Sequence, residues 1–386
     1  MLKLTLRSIG PYFFGTERGY GTDNAVYFAT SKRFPQQSTV LGMLRYRLLE
    51  MRGWLYGAHG NDKSTYAERS TLIGPKSFRP SAAARTFDFG ALKSISPVWL
   101  EDKTGLMLPG PLDRDYAYAT IAGSYTTLLQ EQPTTTIPVL GEHFDYKDTV
   151  SAHLRRVHDR KSVKMDAVFV ESNRIGITKD RVDGDSKAFF KQQNFQLDKT
   201  SDARFVCYVD IDKTSGKELI SWVAAQPLVT MGGERSVFHM TLTEEAMPAT
   251  LPAAYQDNNS TAERWVLLSD AFIPTAIQAR FDFAVSNATF YRGLVSNTEK
   301  TEQYANLHSR KPNEALRVKK QLQKSDGYPL LQRGSVLYPP THNSDRLAQD
   351  LLQATRGWYQ IGYNRIARIR PGQASFLTLT DQNQAS

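Results

Sequence analysis

The chain opens on an alternation. Leu2, Leu4 and Leu6 interleave with Lys3, Thr5 and Arg7, and this period of two predicts a β-strand over residues 2–9 with one buried face. Gly10-Pro11 ends it, and a long loop rich in Gly, Phe and Tyr runs from Tyr12 to Gln37. The period then changes. Val40, Leu44, Leu48 and Met51 are spaced for one face of a helix, Leu41 widens the stripe, and Arg45, Arg47 and Arg52 flank it. Ser38 or Thr39 supplies an N-cap and Gly53 the stop.

Short apolar runs bounded by turns predict strands at 71–73, 96–100, 167–170, 205–209, 265–268, 336–338 and 358–361. Single strands alternating with helices imply an α+β fold with mixed or antiparallel sheets. A polar spacer, Leu197-Asp198-Lys199-Thr200-Ser201-Asp202, suggests a domain break near residue 200, giving domains 1–200 and 201–386. The stretch 105–132 is loop-rich, and the tail beyond Leu379 is polar.

Composition narrows the function. The 386 residues include 48 Lys plus Arg against 39 Asp plus Glu, a net charge of +9 that favours a polyanionic partner such as nucleic acid. The single cysteine, Cys207, sits in the apolar run 205–209, so internal disulfides and cysteine-based zinc sites are excluded, as expected in a reducing cytoplasm. No stretch is apolar enough to span a membrane, and the N-terminus lacks the apolar block of a signal peptide.

Signs of catalysis are missing. His59, His143, His153, His158, His239, His308 and His342 form no HExxH and no tight pair, so no metal is expected. Asp180, Asp183 and Asp185 lack the downstream Glu of a calcium loop and read as a solvated turn. There is no GxxxxGK[ST], GxGxxG or GxSxG, so neither a cofactor nor a catalytic residue is assigned.

Charge is concentrated instead. Residues 153–164 carry Arg155, Arg156, Arg160, Lys161 and Lys164 against Asp159, and residues 310–324 carry Arg310, Lys311, Arg317, Lys319, Lys320 and Lys324 against Glu314. Either segment is an exposed helix face or a contact for a polyanion that relieves its self-repulsion. Phe13, Phe14, Tyr20 and Tyr27 either anchor their loop in a core or stack on unpaired bases. The turns Met231-Gly232-Gly233-Glu234-Arg235 and Arg333-Gly334-Ser335-Val336 pair glycine, which lets a backbone N–H approach a phosphate, with arginine; such turns also occur without any ligand.

A family resemblance draws these together. The first strand, Pro11-Tyr12-Phe13-Phe14 with Arg18, and Phe34-Pro35-Gln36-Gln37-Ser38-Thr39-Val40-Leu41-Gly42-Met43-Leu44-Arg45 resemble the N-terminus of the RAMP proteins of CRISPR effector complexes. Within that superfamily the chain most resembles the third-subunit family of the type III-B Cmr complex. Ile73-Gly74-Pro75, Arg174-Ile175-Gly176-Ile177, Gly232-Gly233-Glu234, Gly334-Ser335-Val336-Leu337-Tyr338 and Ile361-Gly362-Tyr363-Asn364 follow in the family's order. The chain departs from the pattern where Lys187-Ala188-Phe189-Phe190 stands in place of a Gly-Tyr-type segment, and where 105–150 matches little.

The resemblance implies two ferredoxin-like, RRM-related RAMP domains with glycine-rich loops and inserted loops or hairpins. It implies a non-catalytic subunit at the foot of the effector that grips the repeat-derived 5′ handle of the CRISPR RNA (crRNA). Its neighbours would be the large Cas-ten-type subunit and a backbone RAMP subunit, with target RNA met only indirectly. The RNA-contact set expected is Arg18, Lys32, Arg33, Ser38, Thr39, Arg45, Arg155, Arg156, Arg160, Lys161, Arg174, Lys179, Gly232, Gly233, Arg235, Gly334 and Ser335. Two rivals remain. One is a metal-independent crRNA-processing endoribonuclease, for which His59 is the first available histidine. The other is a protein-interaction module with incidental basic charge.

Overall fold

The computed structural model describes residues 1–15, 26–55, 66–82, 84–115, 126–127, 129–130, 139–140, 152–179, 187–233, 235–256, 262–296 and 322–378. The opening alternation forms β1 (Leu2–Ser8), whose Leu4 and Leu6 are almost fully buried. β1 lies between β14 (Arg204–Ile211) and β16 (Ser236–Glu244), antiparallel to both. Beyond β14 come β4 (Trp99–Asp102), β5 (Gly105–Pro109), β10 (His153–Arg156) and β11 (Ser162–Lys164); β3 (Leu92–Ile95) also pairs with β14, and β15 (Leu228–Met231) flanks β16. Helices α1 (Gln37–Met51) and α3 (Lys213–Ala225) cover one face, and α2 (Tyr66–Ile73) packs beside α1. The path β1–α1–β4–β14–α3–β16 yields the spatial order β4-β14-β1-β16.

A second, five-stranded sheet repeats that order. β17 (Arg264–Leu267), one-turn α4 (Thr275–Gln278), β18 (Phe283–Val285), β23 (Val336–Tyr338), α5 (Ser344–Ala354) and β24 (Ile366–Arg370) assemble as β18-β23-β17-β24, with β25 (Gln373–Phe376) at the edge. The short α6 (Arg356–Gln360) precedes β24. Five smaller pieces complete the description. β12 (Phe169–Lys179) and β13 (Lys187–Leu197) form a long hairpin joined by β2 (Val26–Ala29); β19 (Ala288–Tyr291) pairs with β22 (Tyr328–Leu331); and β20 (Leu294–Ser296) pairs with β21 (Leu322–Lys324). The two-residue strands β6 (Arg114–Asp115) with β7 (Thr126–Thr127), and β8 (Leu129–Gln130) with β9 (Val139–Leu140), close the set.

Alternation along the strands sorts the core into layers. On β14, Phe205, Cys207 and Val209 face α1 and α3, whereas Val206 and Tyr208 join Val266, Leu268, Val336, Tyr338, Ala367 and Ile369 of the second sheet. The opposite face of that sheet, Trp265, Leu267, Leu337 and Ile366, packs on Leu347, Leu351 and Leu352 of α5. The order is therefore helices, sheet, sheet, helix. Each fully buried aliphatic side chain contributes roughly 1.5–3 kcal/mol by leaving water, and the middle layer ties the two sheets into one packed unit. Burial pushes the Cys207 thiol up to about 12, so it is inert as a nucleophile.

The polar spacer at 197–202 connects β13 to β14, and strands beyond it pair with β1; the passage from first to second sheet falls between Glu244 and Arg264. Several local expectations need correction. Thr71–Ile73 ends helix α2, and Trp358 lies in α6; both are short apolar runs whose period cannot separate strand from helix. The basic run 153–164 is a β-hairpin. Helix α1 begins at Gln37 with Gln36 at the cap position and no capping side chain, so Ser38 and Thr39 lie in its first turn. Gly53, with φ of 68°, does end the helix. No helix among the described residues is long and apolar enough to cross a membrane, and no described cluster of His, Cys, Asp or Glu suits a metal ion.

Candidate nucleic-acid interface

The glycine motifs lie largely where two stretches of chain cross. Gly334 has φ of 87°, and a Cβ there would stand 2.5 Å from the Gly110 carbonyl oxygen. Gly362 (φ 93°) abuts the Ser96 carbonyl at 2.5 Å in the same sense, and Gly357 meets the Phe87 ring at 2.6 Å. All three seat residues of the second sheet's half against the first. Asn364, also left-handed with φ of 55°, accepts from the Phe272 N–H at 3.0 Å and donates to its carbonyl at 2.6 Å. Gly74 and Gly90 likewise cross, with Gly74 against the Asp88 carbonyl.

Part of the expected RNA-contact set lies in the interior or at these crossings. Ser335 is fully buried and donates its hydroxyl to the Gln332 carbonyl at 2.6 Å, and Gly334 is occupied by Gly110. Arg155 is buried in β10. Gly232 and Gly233 are filled on their Cα sides by Phe13 and Phe14, and the Gly233 N–H donates to the Phe13 carbonyl at 2.9 Å. Tyr12 and Phe14 are core residues packed on Phe205 and Phe238, which is loop anchoring. Phe13 is half-buried. Arg18, Tyr20, His59 and most of 310–324 lie outside the described residues, as does the Tyr27 side chain.

Other cations, some exposed and some half-buried, are dispersed. Arg160 and Lys161 sit at the β10–β11 turn, Lys161 facing Asp159 at 3.7 Å. Arg156 pairs with Asp102 at 2.8 Å, and Arg33 with Asp166 at 2.8 Å. The Lys32 ammonium donates to the Phe290 carbonyl at 2.6 Å. Arg174 is exposed on β12, Arg235 is exposed beside Gly233, and Lys179 stands opposite Lys187 in the hairpin register.

One place brings candidates together. Ser38, Thr39 and Arg45 of α1 line a cleft of about 340 Å³ with Gln36, Ser77, Phe78, Tyr291, Arg292 and Gly293. The first turn of a fifteen-residue helix carries unsatisfied N–H groups and partial positive charge, which favour an anion. Gly74, held at its crossing with Gly90, presents its carbonyl to the Arg45 guanidinium at 3.1 Å and so aims that side chain. The Arg45 Nε is buried without a hydrogen-bond partner. Burial pushes the Arg45 pKa down from its ordinary value, as expected for a cation partly stripped of water; an anion in the cleft restores favourable charge.

Phe78 and Tyr291 form the apolar wall, backed by Trp358 at 4.9 and 5.0 Å between ring centres. Burial pushes the Tyr291 phenol up to about 12, opposed by its hydrogen bond with Ser38, so it stays neutral. Hydroxyls and guanidinium groups are the parts that hold an unpaired nucleotide by its phosphate, while Phe78 and Tyr291 are themselves buried and form the floor beneath them. Tyr291, Arg292, Gly293 and Phe78 were missed by sequence reasoning. Arg292-Gly293 is itself a glycine–arginine pair of the type that drew notice elsewhere.

One solved chain shares this architecture over nearly its whole length. A chain of the type III-B Cmr-beta complex, solved bound to cognate target RNA and AMPPnP, superposes with a TM-score of 0.50 at 14% identity, covering 97% of this chain and 100% of that one. A second Cmr-beta structure, bound to cognate target RNA, gives 0.49 at 12% identity with coverages of 97% and 98%. A chain of the type III-A Csm3-Csm4 subcomplex gives 0.37 at 11%, with coverages of 88% and 93%. No curated protein matches the sequence. The model of the family described as CRISPR-associated protein (Cas_Cmr3) matches residues 4–371, nearly the whole sequence, and the chain belongs to that family.

Proposed function

We propose that this chain is the crRNA-binding subunit at the foot of a type III-B CRISPR effector, and that it grips the 5′ handle in the α1 cleft without cutting it. The reading places it in the cytoplasm, against the large Cas-ten-type subunit and a backbone RAMP subunit, with target RNA reaching it only through the guide. It takes both sheets as ferredoxin-like, RRM-related units, a view supported by their shared strand order. The observation that carries the proposal is the convergence of Ser38, Thr39, Arg45 and Arg292 beside Phe78 and Tyr291 in one cleft of a Cas_Cmr3 chain.

Phosphate contacts release counterions, so binding must weaken with salt. For a synthetic single-stranded RNA bearing the repeat-derived leading end, Arg45→Gln is expected to flatten the log–log salt slope by about 0.7, the value of one phosphate on a single strand. The double variant Ser38→Ala, Thr39→Ala is expected to weaken binding by about 0.5–1.5 kcal/mol for each hydroxyl contact removed with little change of slope. Fluorescence anisotropy across a salt series reads both, and gel analysis of the recovered RNA shows whether it stays intact. Wild-type affinity and slope in the Arg45 variant would refute the site, and cleaved RNA would refute the non-catalytic reading.

A further inference from the structure

Arg333 belongs to a turn whose charge suggested a phosphate contact, yet it does not line the cleft. Its side chain is only 7% exposed. The backbone N–H and Nε donate to Asp270 Oδ1 at 3.0 and 3.3 Å, and one terminal nitrogen donates to the Val98 carbonyl at 3.0 Å. The guanidinium carbon stands 4.1 Å from the centre of the Phe34 ring. Phe34 also meets Phe169 at 5.2 Å and Phe205 at 5.9 Å. Only Pro35 and Gln36 separate it from the first residue of α1.

We infer that Arg333 is a positioning residue for the α1 cleft: anchored on Asp270 and Val98, it clamps Phe34 and thereby sets where the first turn of α1, with Ser38 and Thr39, meets a phosphate. This rests on the cleft being the RNA site. A planar cation on an aromatic face needs arginine; methionine keeps the apolar stem and loses the charge and the plane.

The full-length chain is titrated with the labelled single-stranded RNA across salt as wild type, Arg333→Met, Phe34→Leu, the double variant and Arg45→Gln. Arg333→Met is expected to weaken binding about tenfold, the cost of one desolvated cation–π contact, with the salt slope unchanged because no phosphate contact is lost. Arg45→Gln instead flattens the slope. Phe34→Leu should act like Arg333→Met, and the double variant should bind no worse than the weaker single, because both break one contact. Wild-type affinity in Arg333→Met, a flattened slope there, or multiplying losses in the double variant would each overturn the inference. Should Arg333→Met fail to fold, Phe34→Leu decides by the same criteria. Absence of salt-dependent binding by the wild type would sink the cleft's assignment as an RNA site, and this inference with it.

Discussion

Replacing Asp113 by alanine is expected to cost about 3–5 kcal/mol, the penalty for leaving a buried charge without its partner. Asp113 is fully buried in the segment after β5, and its Oδ2 accepts from Arg264 at 2.9 Å and from the Tyr338 hydroxyl at 2.8 Å. Arg264 and Tyr338 belong to the second sheet, so the carboxylate joins the two sheets' halves at a point water does not reach. Burial alone would raise its pKa; the charges of Arg264 and Arg114 outweigh that and hold it below the usual carboxylate range. Since most folded proteins are stable by only about 5–15 kcal/mol, the alanine variant should unfold at markedly lower denaturant.

The pH dependence has a definite sign. The folded carboxyl has the lower pKa, so its contribution is complete above the unfolded value of about 3.9 and is lost as pH falls through the folded value. Wild-type stability should therefore fall on the acid side more steeply than that of Asp113→Ala. Replacing the whole group, as Asp113→Leu with Arg264→Met and Tyr338→Phe, should recover much of the loss, because neither a charge nor the Tyr338 hydroxyl is then left unpaired. Urea unfolding at several pH values checks all three statements. An Asp113→Ala chain as stable as wild type would show that the ion pair contributes nothing.

The sequence disclosed the elements with clear periods. β1, α1 and the Cys207 strand appear close to where their patterns set them, because alternation and a four-residue stripe each suit one local structure. It was less informative where the apolar run was short: Trp358 reads as strand and forms helix, held by Phe78 and Tyr291 from distant positions. Glycine misled for a different reason. A glycine marks a close approach of something to the backbone, but the local sequence does not say whether that is a phosphate or another strand. At Gly334 and Gly362 it is the backbone of another stretch of this chain, at Gly110 and Ser96. The cleft was half legible: Ser38, Thr39 and Arg45 share one helix, whereas Tyr291 and Arg292 reach it only through the second half's fold.

Gly362→Ala is the second large effect, expected to destabilise the chain by about 2–4 kcal/mol. Two costs combine. A residue with φ of 93° lies where a Cβ is strained, at about 1–2 kcal/mol. The added atom would also stand 2.5 Å from the Ser96 oxygen and 3.0 Å from the Gln37 side chain. Ser96 is backbone in the first sheet's half, its N–H bonded to the Tyr208 carbonyl at 2.7 Å, and cannot swing aside as a side-chain tip would. Gly53→Ala is the control, since Gly53 also has positive φ (68°) but nothing within 4 Å of the added carbon. It should lose only the conformational part, about 1–2 kcal/mol. Gln37 opens α1, so the Gly362 variant should also weaken RNA binding at the cleft, while Gly53→Ala leaves it unchanged. Equal stability losses in the two variants would mean that strain alone, and not the crossing with Ser96, sets the requirement for glycine.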